Sequence, residues 1–389
     1  MTADLTVCGR TITLMRNIDG GDDMTQETAK RENHALRTIT AFIMFFIAFT
    51  HYYSQYEFCD LKVLGLHLMS AGRFVIPLFV MISGYYLYSK DGHAEASIGK
   101  KMVHILFLIV IYKLFYLILS SIYCIAGVVP IDYVIEEFLI LSPPFTFDCY
   151  GGTVNIMTTQ PIWFIYSLFL IYGLFYVLRH FKVDFKWSWV LALPILIVGV
   201  LMVDLLPMFG ITEIGGVEID RDIGGTMYPF IILPFFVMGY YIHKYKDEID
   251  TRLSDRTIWI MLVFGMALMF LEMYIRPDHY QSSIYIGSFI FIMAAFIGSF
   301  RVPEDRARCP VLEYIGKYLT MWMYVFFAGT NFIVRYALQP YADNELICEV
   351  LGPFIALALD VLFAFAFHMF LQYLGKRKAQ PKAVPEAEA

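Results

Sequence analysis

The sequence predicts an all-α protein, a polytopic transmembrane helical bundle of about ten helices with N and C termini cytoplasmic. Three observations predict it. Of 389 residues, 59% are hydrophobic and only 16% charged, where a soluble domain carries about a quarter charged; mean hydropathy is +0.61. Apolar stretches recur at close to the roughly 20 residues that cross a hydrocarbon core of about 30 Å. Lysine and arginine concentrate in alternate connecting loops, as the positive-inside rule requires.

Residues 1–36 are polar and lack the basic start and apolar core of a signal peptide. They read as a cytoplasmic, disordered N-terminal extension, and a start at Met24 would lose nothing structural. The predicted spans are 38–56, 66–88, 102–125, 162–180, 188–206, 228–244, 257–275, 280–300, 314–336 and 350–374. The apolar piece 135–146 is short and ends in Pro143-Pro144, which predicts an interfacial or re-entrant segment. Residues 37–375 then form one transmembrane domain and 376–389 a solvated cytoplasmic tail.

Orientation follows from the basic residues. Lys90, Lys100, Lys101, Arg179, Lys182, Lys186, Lys244, Lys246, Arg252, Arg256, Arg301, Arg306, Arg308 and Lys376-Arg377-Lys378 fall on one side, which is therefore cytoplasmic. On the other side, Ala126–Pro161 has no lysine or arginine and Pro207–Tyr228 has only Arg221. Those outer loops hold acids (Asp132, Glu136, Glu137, Asp148, Glu213, Glu218, Asp220, Asp222). They read either as a solvated face or as a surface for an acceptor.

A net charge of −6 gives no footprint for nucleic acid. The six cysteines include no C-x-x-C pair, so neither a zinc site nor a disulfide framework is predicted; one bridge among Cys59, Cys124, Cys149 and Cys348 stays open. No metal-ligand spacing occurs.

Charged groups inside a bilayer are costly and usually line an interior. Arg37 opens the first span, and His51 stands fourteen residues later, about 21 Å along the axis. Arg73 stands seventeen residues before Lys90 on the returning span, about 25 Å above the inner face. His51 and Arg73 therefore reach similar depths on consecutive helices. A fixed positive charge beside an imidazole favours the neutral ring, which can act as a base or a nucleophile. The plainer reading makes His51 a helix-end residue and Arg73 a snorkelling one. Pro77 and Ser83-Gly84 loosen the second span and permit close helix approach. Lys113 and Asp360, each mid-span, are expected to form a structural pair. Lys100-Lys101-x-x-His104 reads either as the ordinary positive-inside signal or as a phosphate clamp for an anionic cytoplasmic cofactor.

Four stretches carry a resemblance. Arg73-Phe-Val-Ile-Pro-Leu-Phe-Val-Met-Ile-Ser-Gly-Tyr-Tyr-Leu87, Ile162-Trp-Phe-Ile-Tyr-Ser-Leu168 with Tyr172, Pro234-Phe-Phe-Val-Met-Gly-Tyr-Tyr241 and Ile315-Gly-Lys-Tyr-Leu-Thr-Met-Trp-Met-Tyr324 resemble signatures of membrane acyltransferase family 3. Its members include bacterial integral membrane O-acyltransferases that act on surface glycans. The order of these pieces covers roughly Arg37 to Leu374. The family has an arginine and a histidine in its first helix separated by ten residues, where Arg37 and His51 have thirteen between them. Lys101-x-x-His104 stands where the family often has Arg-x-x-Arg, and an aromatic near Phe327 stands in place of a late histidine.

The resemblance implies an acyltransferase in the bacterial inner (plasma) membrane. The donor would be acyl-CoA, commonly acetyl-CoA, with its phosphates near Lys100, Lys101 and His104 and its pantetheine arm threaded into the bundle. His51 would be base or acyl relay, Arg73 would tune it or stabilise an oxyanion, and Arg37 would complete the catalytic set. The acceptor would be a carbohydrate or lipid-linked glycan reached from the outer side. Two other classes fit the composition. A transporter or flippase for a lipid-linked sugar predicts internal repeats, and no clear duplication is present. A non-catalytic membrane sensor predicts that His51 and Arg73 are packing residues. The sequence does not specify the oligomeric state.

Overall fold

The computed structural model describes residues 34–54, 72–88, 97–132, 134–135, 162–182, 188–201, 206, 209–211, 213–214, 217–218, 231–275, 284–302, 309–341, 344 and 346–379. Its helices are α1 His34–Ser54, α2 Val75–Tyr85 after a 3-10 turn Gly72–Phe74, α3 Ile98–Ile125, α4 Ile162–His180, α5 Ser188–Gly199, α6 Leu233–Lys244, α7 Lys246–Arg252, α8 Asp255–Ile275 and α9 Ile286–Gly298. Then come α10 Pro310–Tyr314, a π-helical turn Ile315–Leu319, α11 Thr320–Leu338, a second π turn Leu346–Leu351 and α12 Gly352–Ala379. The one sheet among the described residues is a two-strand hairpin, β1 Glu213–Ile214 against β2 Val217–Glu218.

The structure is an all-α membrane bundle in which a described helix falls within or overlaps each predicted span, several of them shorter than predicted, so the helix count is not the ten expected. Four helical segments, His34–Tyr52, Ile98–Ile125, Asp255–Ile275 and Ile347–Gly375, are long and apolar enough to cross a membrane. The short α7 between α6 and α8 is additional. The last helix continues through Lys376 to Ala379, into the predicted tail. The extension before residue 34, the segment 136–161, most of the 207–228 loop, Lys90, Cys59 and Cys149 lie outside the described residues. Cys124 and Cys348 are free thiols, so neither forms the bridge that the sequence left open.

The outer stripes are apolar because they face lipid. On α3, Val103, Leu106, Val110, Leu114, Ile118 and Ile122 are all exposed at helical spacing. The inner faces pack by close backbone approach. A methyl group at Gly84 of α2 would lie 2.0 Å from the Phe236 carbonyl oxygen of α6, and one at Gly239 would lie 2.0 Å from the Met81 carbonyl oxygen. The contact is reciprocal, and only glycine admits it. Gly265 and Gly287 bring α8 and α9 together in the same way. Without a hydrophobic driving force between helices in lipid, such close packing is what holds them.

Polar groups fasten the helix ends. The Glu272 carboxylate accepts the N–H groups of Ile286 at 3.3 Å and Gly287 at 2.8 Å, satisfying donors that the start of α9 would otherwise leave bare. Past the end of α9, Arg301 bridges Asp250 at 2.8 Å and Asp255 at 2.6 Å and also donates to the Leu253 carbonyl, locking α7 to α8 and α9. His34 Nδ1 meets Glu313 Oε2 at 2.8 Å, which ties the start of α1 to α10. The expected Lys113–Asp360 pair is not formed. Asp360 is fully buried on α12, and neither of its carboxyl oxygens has a hydrogen-bond partner.

Candidate active site

The site is built on α1 and on the 3-10 turn that precedes α2. His51 lies one turn before the end of α1, and its ring sits 5.3 Å from that of Phe327 on α11. Asn331, one turn further along α11, donates Nδ2–H to the Ala48 carbonyl at 3.2 Å and fixes α1 one turn below His51. Tyr52 is anchored by its hydroxyl to the Cys348 carbonyl at 2.9 Å, and a methyl at Gly352 would collide with that hydroxyl. The two contacts bracket His51 and set its height and azimuth.

Arg73 occupies the middle of the turn Gly72–Phe74. Gly72 lies flat on the Phe46 ring, where a methyl would come 2.5 Å from Phe46 Cε1. Phe74 packs on Phe46 at 5.8 Å and on Phe291 of α9 at 5.0 Å. These contacts hold the turn that carries Arg73 against α1, at Phe46, five residues before His51. His51 is half-buried.

The other candidates stand elsewhere. Arg37 is at the basic end of α1, where a methyl at Gly316 in the first π turn would lie 1.9 Å from its carbonyl oxygen. It stays about 21 Å along α1 from His51 and is not brought to that ring. Lys101 Nζ donates to the Tyr86 carbonyl at 2.9 Å and lies 5.6 Å from the centre of the Tyr172 ring, so it ties the start of α3 to the end of α2 and to α4. Lys100 is exposed and His104 half-buried. Phe107 meets Trp322 at 6.3 Å and Tyr116 meets Gly329, so α3 and α11 run side by side in the same direction. Continued inward, that register puts Lys101 and His104 at the level of the first π turn, beside Arg37. The structure thus groups the six predicted residues into two sets at opposite ends of α1. His51 and Arg73 form the set at its C-terminal end, and Arg37, Lys100, Lys101 and His104 lie at the level of its N-terminal end.

Between the sets stand aromatic residues that no charge or motif signal marked as functional. Tyr324 contacts Phe164 at 5.4 Å and Phe327 at 5.6 Å, and Phe164 contacts Phe79 of α2 at 5.3 Å. Three of these four lie inside the stretches singled out in the sequence, where they read as apolar filling. Among the described residues no group of His, Cys, Asp or Glu could hold a metal ion.

The arrangement offers an imidazole and a guanidinium on packed neighbouring elements near one end of α1, with Arg37 at the other. No curated protein and no solved structure matches the chain. The acyltransferase domain of acyltransferase family 3 matches residues 33–372, which takes in every described helix except the last turns of α12. This chain is therefore a multi-pass membrane protein that belongs to acyltransferase family 3.

Proposed function

We propose that this protein moves an acyl group, commonly acetyl, from acyl-CoA on the cytoplasmic side to a hydroxyl of an extracytoplasmic or lipid-linked carbohydrate, in the inner (plasma) membrane of a bacterium. What supports this reading is the acyltransferase family match over residues 33–372, together with His51 at the Phe327 ring and Arg73 on a turn packed against α1 through Phe46 and Phe74.

His51 is the base or the acyl relay. As a base it takes the proton of the attacking hydroxyl and passes it to the leaving thiolate; as a relay it carries the acyl group on its own ring nitrogen. Arg73 offsets negative charge on the carbonyl oxygen, where a fixed charge away from water is most effective. At the rim, Lys100, Lys101 and His104 face the phosphates, with Arg37 on the same level. Family membership favours an enzyme over a transporter or a sensor.

The test is His51→Ala in membranes incubated with labelled acetyl-CoA. The variant should insert at the wild-type level and transfer no label. Transfer at the wild-type rate would remove His51 from the mechanism.

A further inference from the structure

Between α6 and α7 the helix breaks at Tyr245, and the two lysines that flank the break are held against aromatic rings. Lys244 Nζ lies 5.6 Å from the centre of the Tyr241 ring and 5.6 Å from that of Tyr245. Those two rings are 6.1 Å apart and parallel to within 14°. Lys246 Nζ lies 5.1 Å from the centre of the Phe300 ring, just past the end of α9. Phe300 in turn stacks on Tyr85 of α2 at 5.1 Å. Both lysines are half-buried. Among the described residues neither makes an ion pair, since Asp250 and Asp255 are both engaged by Arg301. Asp247 and Glu248 are exposed and stand about 100° and 200° round the helix from Lys246.

An ammonium on a ring face is attracted by the ring quadrupole but keeps its full charge. Each ring therefore fixes a cation in place without neutralising it, and the ligand that fits is an anion. The level of the junction in the membrane decides which anion. Arg301 ties α7 to the start of α8, and Trp259, one turn into α8, is 67% exposed. Exposed tryptophan marks the headgroup layer. Tyr245 is itself 42% exposed and offers apolar surface beside the cations. The loop charges assign this side of the bundle to the cytoplasm, where anionic lipids attract basic groups. A dissolved phosphate would use the cations and leave the exposed rings bare, whereas a phospholipid uses both.

We propose that the α6–α7 junction binds the phosphate of an anionic phospholipid, with Lys244 and Lys246 as its cations and the Tyr241, Tyr245 and Phe300 rings holding them in place. The site is separate from His51 and Arg73 and does not depend on the acyl-transfer reading. Binding there fastens α6, α7 and the end of α9, because each supplies a part of it. The lipid is therefore a stabilising ligand of the folded bundle.

The experiment uses the full chain purified in a neutral detergent and follows its thermal midpoint by intrinsic fluorescence as lipid is added. Each protein's shift is read from its own lipid-free midpoint. Phosphatidylglycerol should raise the wild-type midpoint, and phosphatidylcholine, whose headgroup has no net charge, should raise it far less. Lys244→Gln with Lys246→Gln should weaken the apparent affinity for phosphatidylglycerol by roughly tenfold to thirtyfold, the effect of two basic groups at a headgroup. Lys244→Arg with Lys246→Arg keeps both charges and should retain the response. Arg252→Gln with Arg256→Gln removes the same charge from exposed positions on α7 and α8 and should change the affinity by less than about threefold. Equal losses in the two glutamine pairs mean a diffuse surface charge and overturn the site, as does an equal response of the wild type to the two lipids. Inorganic phosphate should shift neither the wild type nor the lysine-to-glutamine pair. If it protects the wild type alone, the lysines hold a dissolved phosphate and the lipid assignment falls.

Discussion

Replacing Gly84 with alanine should separate the two helices that carry the active-site turn. The new methyl would lie 2.0 Å from the Phe236 carbonyl oxygen, 2.9 Å from its carbonyl carbon and 3.2 Å from its Cα. Carbon and oxygen tolerate about 3.3 Å, so the shortfall is about 1.3 Å. The obstacle is backbone, with no side-chain rotamer to yield, and α2 must move off α6 by about that distance. Overpacking of this kind costs about 1–3 kcal/mol, and contact between two backbones belongs at the upper end. At about 2–4 °C per kcal/mol for a chain larger than about 150 residues, the thermal midpoint should fall by roughly 6–12 °C. Intrinsic fluorescence of the purified protein in detergent measures it. The control is Gly173→Ala on α4, where the methyl would sit 3.6 Å from the end of the Met102 side chain, an ordinary contact that should leave the midpoint within about 1 °C. Arg73 immediately precedes α2, so acyl transfer by Gly84→Ala should fall at temperatures where the protein is still folded. Equal midpoints for the two variants would refute the reciprocal-glycine account.

Arg73→Lys keeps the charge but loses the planar guanidinium, and should lower kcat by about tenfold or more with little change in KM, as read by thiol release from acetyl-CoA; unchanged kcat would exclude Arg73 from the reaction. Glu272→Gln keeps an acceptor at the start of α9 but removes the charge, and Glu272→Ala removes both. The expected losses are a few tenths and about 1 kcal/mol, read from thermal midpoints in that order, and the reverse order would contradict the capping role. Asp360→Leu removes a buried acid whose oxygens have no partner and should leave the midpoint unchanged or raise it, because an unpartnered buried acid costs folding free energy. A fall of several degrees would show that Asp360 meets a partner.

The sequence alone determined the class of the molecule and the order of its helices. Twenty-residue apolar runs have few solutions in lipid, because every backbone N–H and C=O must be satisfied within its own segment. The roughly 21 Å between Arg37 and His51 followed as well, since both stand on one helix of fixed rise; Arg73, expected within a span, stands instead in the 3-10 turn before α2. Azimuth and partner choice did not follow. Gly84 and Gly239 stand 155 residues apart, and nothing local says that each faces the other's backbone. Lys113 and Asp360 matched in depth and charge, yet Asp360 lies buried on α12 with no partner, since depth fixes a height and leaves open which side of a helix a group occupies. The contacts of Tyr324, Phe164 and Phe79 were equally illegible, because the side of a helix on which an aromatic residue packs is decided by partners far apart in sequence.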